Sequence, residues 1–313
     1  MRPLQLGLVL TLVLGCGGAE DSPSSNANAN SNAGGSDAEA YAIVLHRPRH
    51  AGDSFTATYR AESHTRNLLT VNGEATQDDR VHLAIELVAD VTIEAVNAAG
   101  KVTSSQYTVR SCTTGGESPE PLLPAGSVLT VTAAESSEDG SIVLQGGQLT
   151  EDQLARLDLV INTHVSTRND DDVFGSQEPR TVGSTWPIHG EVAAADLSRA
   201  ATLSITPEQI SGSSTFVGLE TIDGVPCQGV EAGMTAEGFT VGGLPAGSVT
   251  QGATLEMRMV GAFPLDTARQ RLRSGQEMAM RLVVQLPAPE GTVALMTVAN
   301  LRASTTQIHP PSE

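Results

Sequence analysis

A chain of 313 residues with 36 acidic and 18 basic side chains carries a formal charge of −18. Such a polyanion repels nucleic-acid backbones and anionic lipid headgroups alike, so nucleic acid is excluded as a partner. With five Phe, three Tyr and one Trp, the core has to be built from Val, Leu, Ala, Ile and Met, and the aromatic girdles of a membrane-spanning β-barrel are not provided for.

Residues 1–16 read MRPLQLGLVLTLVLGC: Arg2, then an apolar run from Leu4 to Leu14, too short to span a bilayer and shaped like a secretory signal. The run ends in Val13-Leu14-Gly15-Cys16. This resembles the lipobox of bacterial lipoproteins, although Leu14 stands where a smaller residue is commoner. The resemblance covers these residues alone. It implies cleavage before Cys16, lipidation of its thiol and new amine, and a membrane partner held through that anchor. Gly17 rather than Asp after the cysteine points, again by resemblance, to the outer membrane of a bacterial envelope. Residues 17–40, rich in Gly, Ser, Asn and Ala, contain no large apolar side chain and read as a flexible tether.

The folded part begins near Tyr41. Tyr41 to Leu45 is expected as a first strand, and Phe55 to Glu62 alternate apolar and polar as a second. Asn72-Gly73 is a hairpin signal. Residues 81–96, VHLAIELVADVTIEAV, are apolar at every odd position to Ala95. This is period two without a slip, over a length well beyond the usual strand of about 5–6 residues. Leu83, Ile85, Leu87, Val91 and Ile93 form its candidate apolar face. That face needs a partner: a second sheet, a helix or an apolar ligand. Val102 to Arg110 is the return strand, and Leu129 to Ala133 with Ser141 to Leu144 another hairpin across the acidic turn 135–140. Thr150 with Gln153 forms a capping box opening a helix over 150–162, whose Leu154, Leu157 and Ile161 share one face.

From Gly183 strand signals return: a brief helical turn at Thr206-Pro207, a hairpin about Asp223-Gly224, and alternating runs at 255–259, 278–286 and 293–301. A short helix is expected at Asp266 to Leu272 and a loose tail from Gln307. The hexapeptide LPAGSV occurs at Leu123–Val128 and again at Leu244–Val249. It follows a cysteine and precedes a helical candidate in each half, so the halves read either as two related lobes or as a chance recurrence of a turn. The expected fold is mainly β, in antiparallel sheets with long bent strands and one or two short helices. It divides into an N-terminal lobe over 41–182 and a C-terminal lobe over 183–313.

Cys112 and Cys227 are the thiols remaining after Cys16. In an oxidising envelope they are candidates for a disulfide, with two buried free thiols as the alternative. The seven histidines lack the spacing of a helical zinc site, and no metal or cofactor is expected. His46 and His50 flank Arg47-Pro48-Arg49 and read as solvated. The arginines do not cluster along the chain. Asn169-Asp170-Asp171-Asp172 resembles half a calcium loop but lacks the Gly and distant Glu of an EF-hand, so it reads as a solvated acidic loop. Nucleophile elbows, phosphate loops and dinucleotide fingerprints are missing. The expectation is therefore a non-enzymatic envelope lipoprotein that binds or builds. A carrier of lipid or another apolar ligand in a half-barrel is the alternative, and a hydrolase of envelope polymers comes last.

Overall fold

The computed structural model describes residues 39–313 except 117, 135–139, 166–167, 201–202, 289–290 and 310–313. Cys16, the tether as far as residue 38 and most of the acidic turn after Ala134 lie outside these residues. Among the described residues, no helix is long and apolar enough to cross a membrane.

The central hairpin consists of β1 (Ser54–Val71) and β2 (Glu74–Val96), joined by Asn72 and Gly73 with φ of 51° and 84°. Both turn residues are left-handed, the conformation a two-residue hairpin needs and Asn-Gly supplies. The long strand thus begins at Glu74 rather than Val81. Residues 74–80 are exposed and show no alternation. Pairing with β1 makes them a strand, reinforced by Arg66 against Asp78 at 2.7 Å.

β3 (Val102–Thr113) returns along β2, and β4 (Pro121–Leu123), β5 (Val128–Thr132) and β6 (Ser141–Leu144) complete that side. Three helices follow: α1 (Glu151–Leu157), α2 (Asp170–Phe174) and, after β7 (Thr185–Pro187), α3 (Gly190–Ala200). β8 (Leu203–Ser204) and a 3-10 turn at Pro207–Gln209 lead into β9 (Ile210–Ile222), β10 (Val225–Glu237), β11 (Thr240–Val241), β12 (Val249–Pro264), β13 (Arg273–Leu286) and β14 (Val293–Ile308).

One antiparallel sheet takes in all but two strands, in the order β6-β5-β3-β2-β1-β14-β13-β12-β10-β9-β7, with β4 on the end of β3; β8 and β11 pair separately. The first and last thirds of the chain meet at its centre, where β1 pairs β14 from Thr56–Ile308 to Val71–Val293. The sequence halves therefore do not form separate sheets. Ile85, Ala61, Ala303, Gln276, Met259, Ala232 and Ser214 are successive register partners across seven strands, and all are buried. One residue along, Glu62, Arg302, Glu277 and Arg258 form the matching rung on the opposite face.

The sheet accordingly has one apolar and one charged face. The charged face is laddered by ion pairs: Arg110–Asp90 at 2.7 Å, Arg302–Glu277 at 2.9 Å and Arg258–Glu231 at 2.8 Å. Exposed pairs of this kind are screened by water and add little stability, so they chiefly keep the face wet. A lipid-facing barrel wall would be apolar there.

The apolar face is covered in two clusters. One gathers Leu87, Leu129, Leu157 and Ile161 beneath α1; the other gathers Phe216, Leu255 and Met280 beneath α2 and α3. The Thr150 capping box is present, with Gln153 N–H donating to Thr150 Oγ1 at 3.2 Å and Thr150 N–H to Gln153 Oε1 at 2.9 Å. The helix stops at Leu157, short of the expected 162, and continues as a turn to Ile161; Leu154 points out, 38% exposed.

Other expectations change. Residues 41–45 form an extended strap with a single bridge, Tyr41 to Arg180, and not a strand. Asp266–Leu272 is a turn closed by Arg269 N–H on the Asp266 carbonyl, and it makes no helix. α3 went unpredicted because its buried stripe is mostly alanine (Ala193, Ala194, Leu197), which looks weakly apolar. Gln307 and Ile308 belong to β14 rather than to a loose tail. The two LPAGSV copies form the same turn, with Ser127 N–H on Pro124 O and Ser248 N–H on Pro245 O, and with Gly126 and Gly247 at φ 83° and 88°. The strands they enter are differently placed: β5 pairs β3 and β6, whereas β12 pairs β10 and β13.

Candidate functional site

The candidate apolar face of β2 divides along its length. Leu83 is half-buried and belongs to neither cluster. Ile85 and Leu87 pack beneath Leu157 and Ile161. Val91 and Ile93 belong to the same buried cluster and also line the base of a cavity of about 340 Å³. Its floor is the apolar face of the sheet: Phe55 and Tyr59 from β1, Val91 and Ile93 from β2, Tyr107 from β3 and Val131 from β5. Leu159, Val160 and Val165, after α1, supply the opposite wall.

The rim is set by the strap of residues 41–50. Ile43 and Leu45 are buried in the second cluster. Asp171 accepts the backbone N–H groups of Leu45 at 2.7 Å and His46 at 2.9 Å. Arg49 N–H donates to the Gly100 carbonyl at 2.9 Å. Gly100 sits at φ 71°, where a Cβ would come within 2.5 Å of the Pro48 side chain, so only glycine lets the strap approach this closely. The acidic run at 169–172 is therefore a clamp and an end cap rather than a solvated loop. Asp171 holds the strap, Asp172 accepts the Asn169 N–H at 2.7 Å, and Asp170 pairs with Arg271 at 3.5 Å.

The strap places Arg47 and Arg49 in the cavity lining. Arg47 is 7% exposed and donates through Nη2 to the Pro264 carbonyl at 3.1 Å. Arg49 donates to Gln307 Oε1 at 2.5 Å and stacks over the Phe55 ring at 4.4 Å. Arg47 Nε and Nη1 and Arg49 Nη1 are buried without a hydrogen-bond partner. Burial lowers the pKa of Arg47, opposed by the charges of Asp171 and Asp266. Burial likewise lowers Arg49 to about 10. Lys101, which donates to the Arg168 carbonyl, together with Arg60, Arg168 and Arg271 also lines the space, where Asp170 is the one carboxylate among the described residues. The chain as a whole is two to one acidic; among the described residues this cavity has six cationic side chains to one acid. Arginines scattered in sequence are gathered by the fold.

The remaining candidates are separate from the cavity. Cys112 on β3 and Cys227 on β10 are free and buried, in different clusters, and five strands lie between theirs in the sheet. Of the two readings the structure has the free thiols, because the five intervening strands hold Cys112 and Cys227 apart. Burial pushes the Cys112 thiol up to about 11 and raises Cys227 as well. Chain spacing concealed one donor group. His64 and His82 face each other across β1 and β2 with rings stacked at 4.2 Å, and Glu62 Oε1 lies 3.1 and 2.9 Å from their Nε2 atoms. Their ligand atoms lie within 4.8 Å of one another, so this exposed trio could hold a divalent metal ion. It also fits the ion-pair ladder of the charged face.

No protein-family model and no curated protein sequence matches the chain. Among solved structures, one of lipid–protein interactions in lipovitellin is 10% identical, with a TM-score of 0.28 over 84% of this chain and 26% of its own. A DUF1329 family protein from Desulfovibrio piger is 11% identical, with a TM-score of 0.20 over 77% and 83%. Pseudomonas aeruginosa OpdQ is 9% identical, with a TM-score of 0.22 over 82% and 98%. The chain spans about a quarter of the lipovitellin chain. Likeness at this level decides neither fold nor function.

Proposed function

We propose that this protein is a non-enzymatic carrier or receptor for an apolar ligand, held at a bacterial envelope membrane by the lipid anchor that its Cys16 motif resembles. The observation that carries the reading is the cavity of about 340 Å³ between the apolar sheet face and the segment after α1. The volume lies in the range of small-molecule sites, about 300–1,000 Å³. The floor residues Phe55, Val91 and Ile93 are apolar, which supports an apolar ligand. A structural envelope role finds its support in the packed half of the same strand.

Native mass spectrometry of protein extracted from membranes tests the reading. A bound apolar species of defined mass is expected, lost when Val91→Trp fills the cavity. Protein that is ligand-free and takes up no fluorescent fatty acyl probe would count against carriage and for the structural role.

A further inference from the structure

We propose that the ligand is a single-chain amphiphile with a carboxylate head, its head held by Arg47 and Arg49 and its tail lying on Phe55, Val91 and Ile93. This rests on the carrier reading and adds the ligand's charge and shape. A buried guanidinium with unmet N–H groups is costly, because desolvation is not offset by a partner. Arg47 leaves two such groups and Arg49 one, and both residues line the same cavity. Their neighbouring protein acceptors are neutral: the Pro264 carbonyl and the Gln307 amide oxygen. Asp171 and Asp266 act on Arg47 and Asp53 acts on Arg49 through their charge, but Asp171 Oδ1 and Oδ2 and Asp53 Oδ2 are engaged by the strap backbone. An entering carboxylate supplies charged acceptors for these N–H groups, and a hydrogen bond between two ions is stronger than one to a neutral carbonyl. The apolar floor next to these arginines accounts for a tail, and a cavity at the small end of the range suits one chain rather than two.

The test uses the full chain and four probes: a twelve-carbon fatty acid, its methyl ester, a twelve-carbon alkyl phosphate and inorganic phosphate. Binding is read by calorimetry and by thermal shift. The proposal expects the acid to bind at least tenfold tighter than the ester. Arg49→Gln should weaken the acid at least tenfold more than the ester, and Arg47→Gln should do the same. Because Arg47 also holds the Pro264 carbonyl, Arg49→Gln is the deciding variant if Arg47→Gln fails to fold. Equal affinity for acid and ester overturns the proposed head and leaves the carrier standing. Binding of alkyl phosphate at least tenfold tighter than the acid overturns the carboxylate assignment. Inorganic phosphate binding as tightly as the acid removes the tail, and with it the carrier. No binding of either twelve-carbon acid or ester overturns both readings together.

Discussion

At the scale of single residues, burial governs chemistry. The two thiols are inert by position: Cys112 is 2% exposed and Cys227 fully buried, and burial raises both pKa values, which suppresses the reactive thiolate. In the native state neither should react with a thiol-specific disulfide reagent within hours, while unfolding should expose both. Fast native labelling of Cys112 would contradict its placement. His309 shows the same principle with a base. Burial first, then the nearby Arg49 charge, lowers its pKa from the usual 6.5 to about 4, and its ring packs on Phe55 at 5.4 Å. The unfolded chain therefore takes up this proton before the folded one does. The histidine's contribution is complete above about pH 6.5 and is lost as pH falls through about 4. Between pH 7 and 4, wild type should lose more thermal stability than His309→Asn; equal losses would assign the acid sensitivity elsewhere.

At the scale of elements, the long strand and its helix carry the N-terminal packing. Leu87 is fully buried beneath α1, whereas Leu154 of the same proposed contact is 38% exposed. Leu87→Ala should cost about 2–5 kcal/mol in denaturant unfolding, and Leu154→Ala less than about 0.5 kcal/mol. Comparable losses would mean that α1 docks by another face. Removing the α1 cap with Thr150→Ala should cost about 0.5–2 kcal/mol. The strap is an element whose order depends on a glycine. Gly100→Ala places a Cβ against Pro48 at a left-handed φ, so it should loosen the strap and weaken probe binding in the cavity more than it lowers stability. Unchanged binding would separate the strap from the site.

At the scale of the whole molecule, the β1–β14 pairing makes the halves one sheet. Unfolding should be a single transition, with Leu87→Ala and Leu255→Ala shifting the same midpoint although they sit in different clusters. Two resolved transitions would restore two independent lobes. For the same reason a fragment ending at residue 182 should remain unfolded, since it would expose the whole paired edge of β1 and lose the partners of Ile43 and Leu45.

Much of this fold was legible in the residues. The period-two run at 81–96, the turns at Asn72-Gly73 and Asp223-Gly224 and the Thr150 cap are local signals, and local sterics and hydrogen bonding settle them. Alanine-rich α3 and the charged start of β2 escaped because neither shows an apolar pattern: the buried stripe of α3 is mostly alanine, and residues 74–80 are charged and exposed and become a strand only by pairing with β1. The sequence by itself determined a β-rich polyanion with one long one-sided strand and a motif resembling a lipoprotein anchor. Only the tertiary structure decided that the halves share one sheet, that Cys112 and Cys227 stand apart, and that Arg47, Arg49, Lys101 and Arg271 meet around a cavity over Val91 and Ile93. Periodicity is a property of neighbours along the chain, whereas strand order and the burial of a charge depend on contacts between residues as much as 258 positions apart, the separation of Arg49 and Gln307.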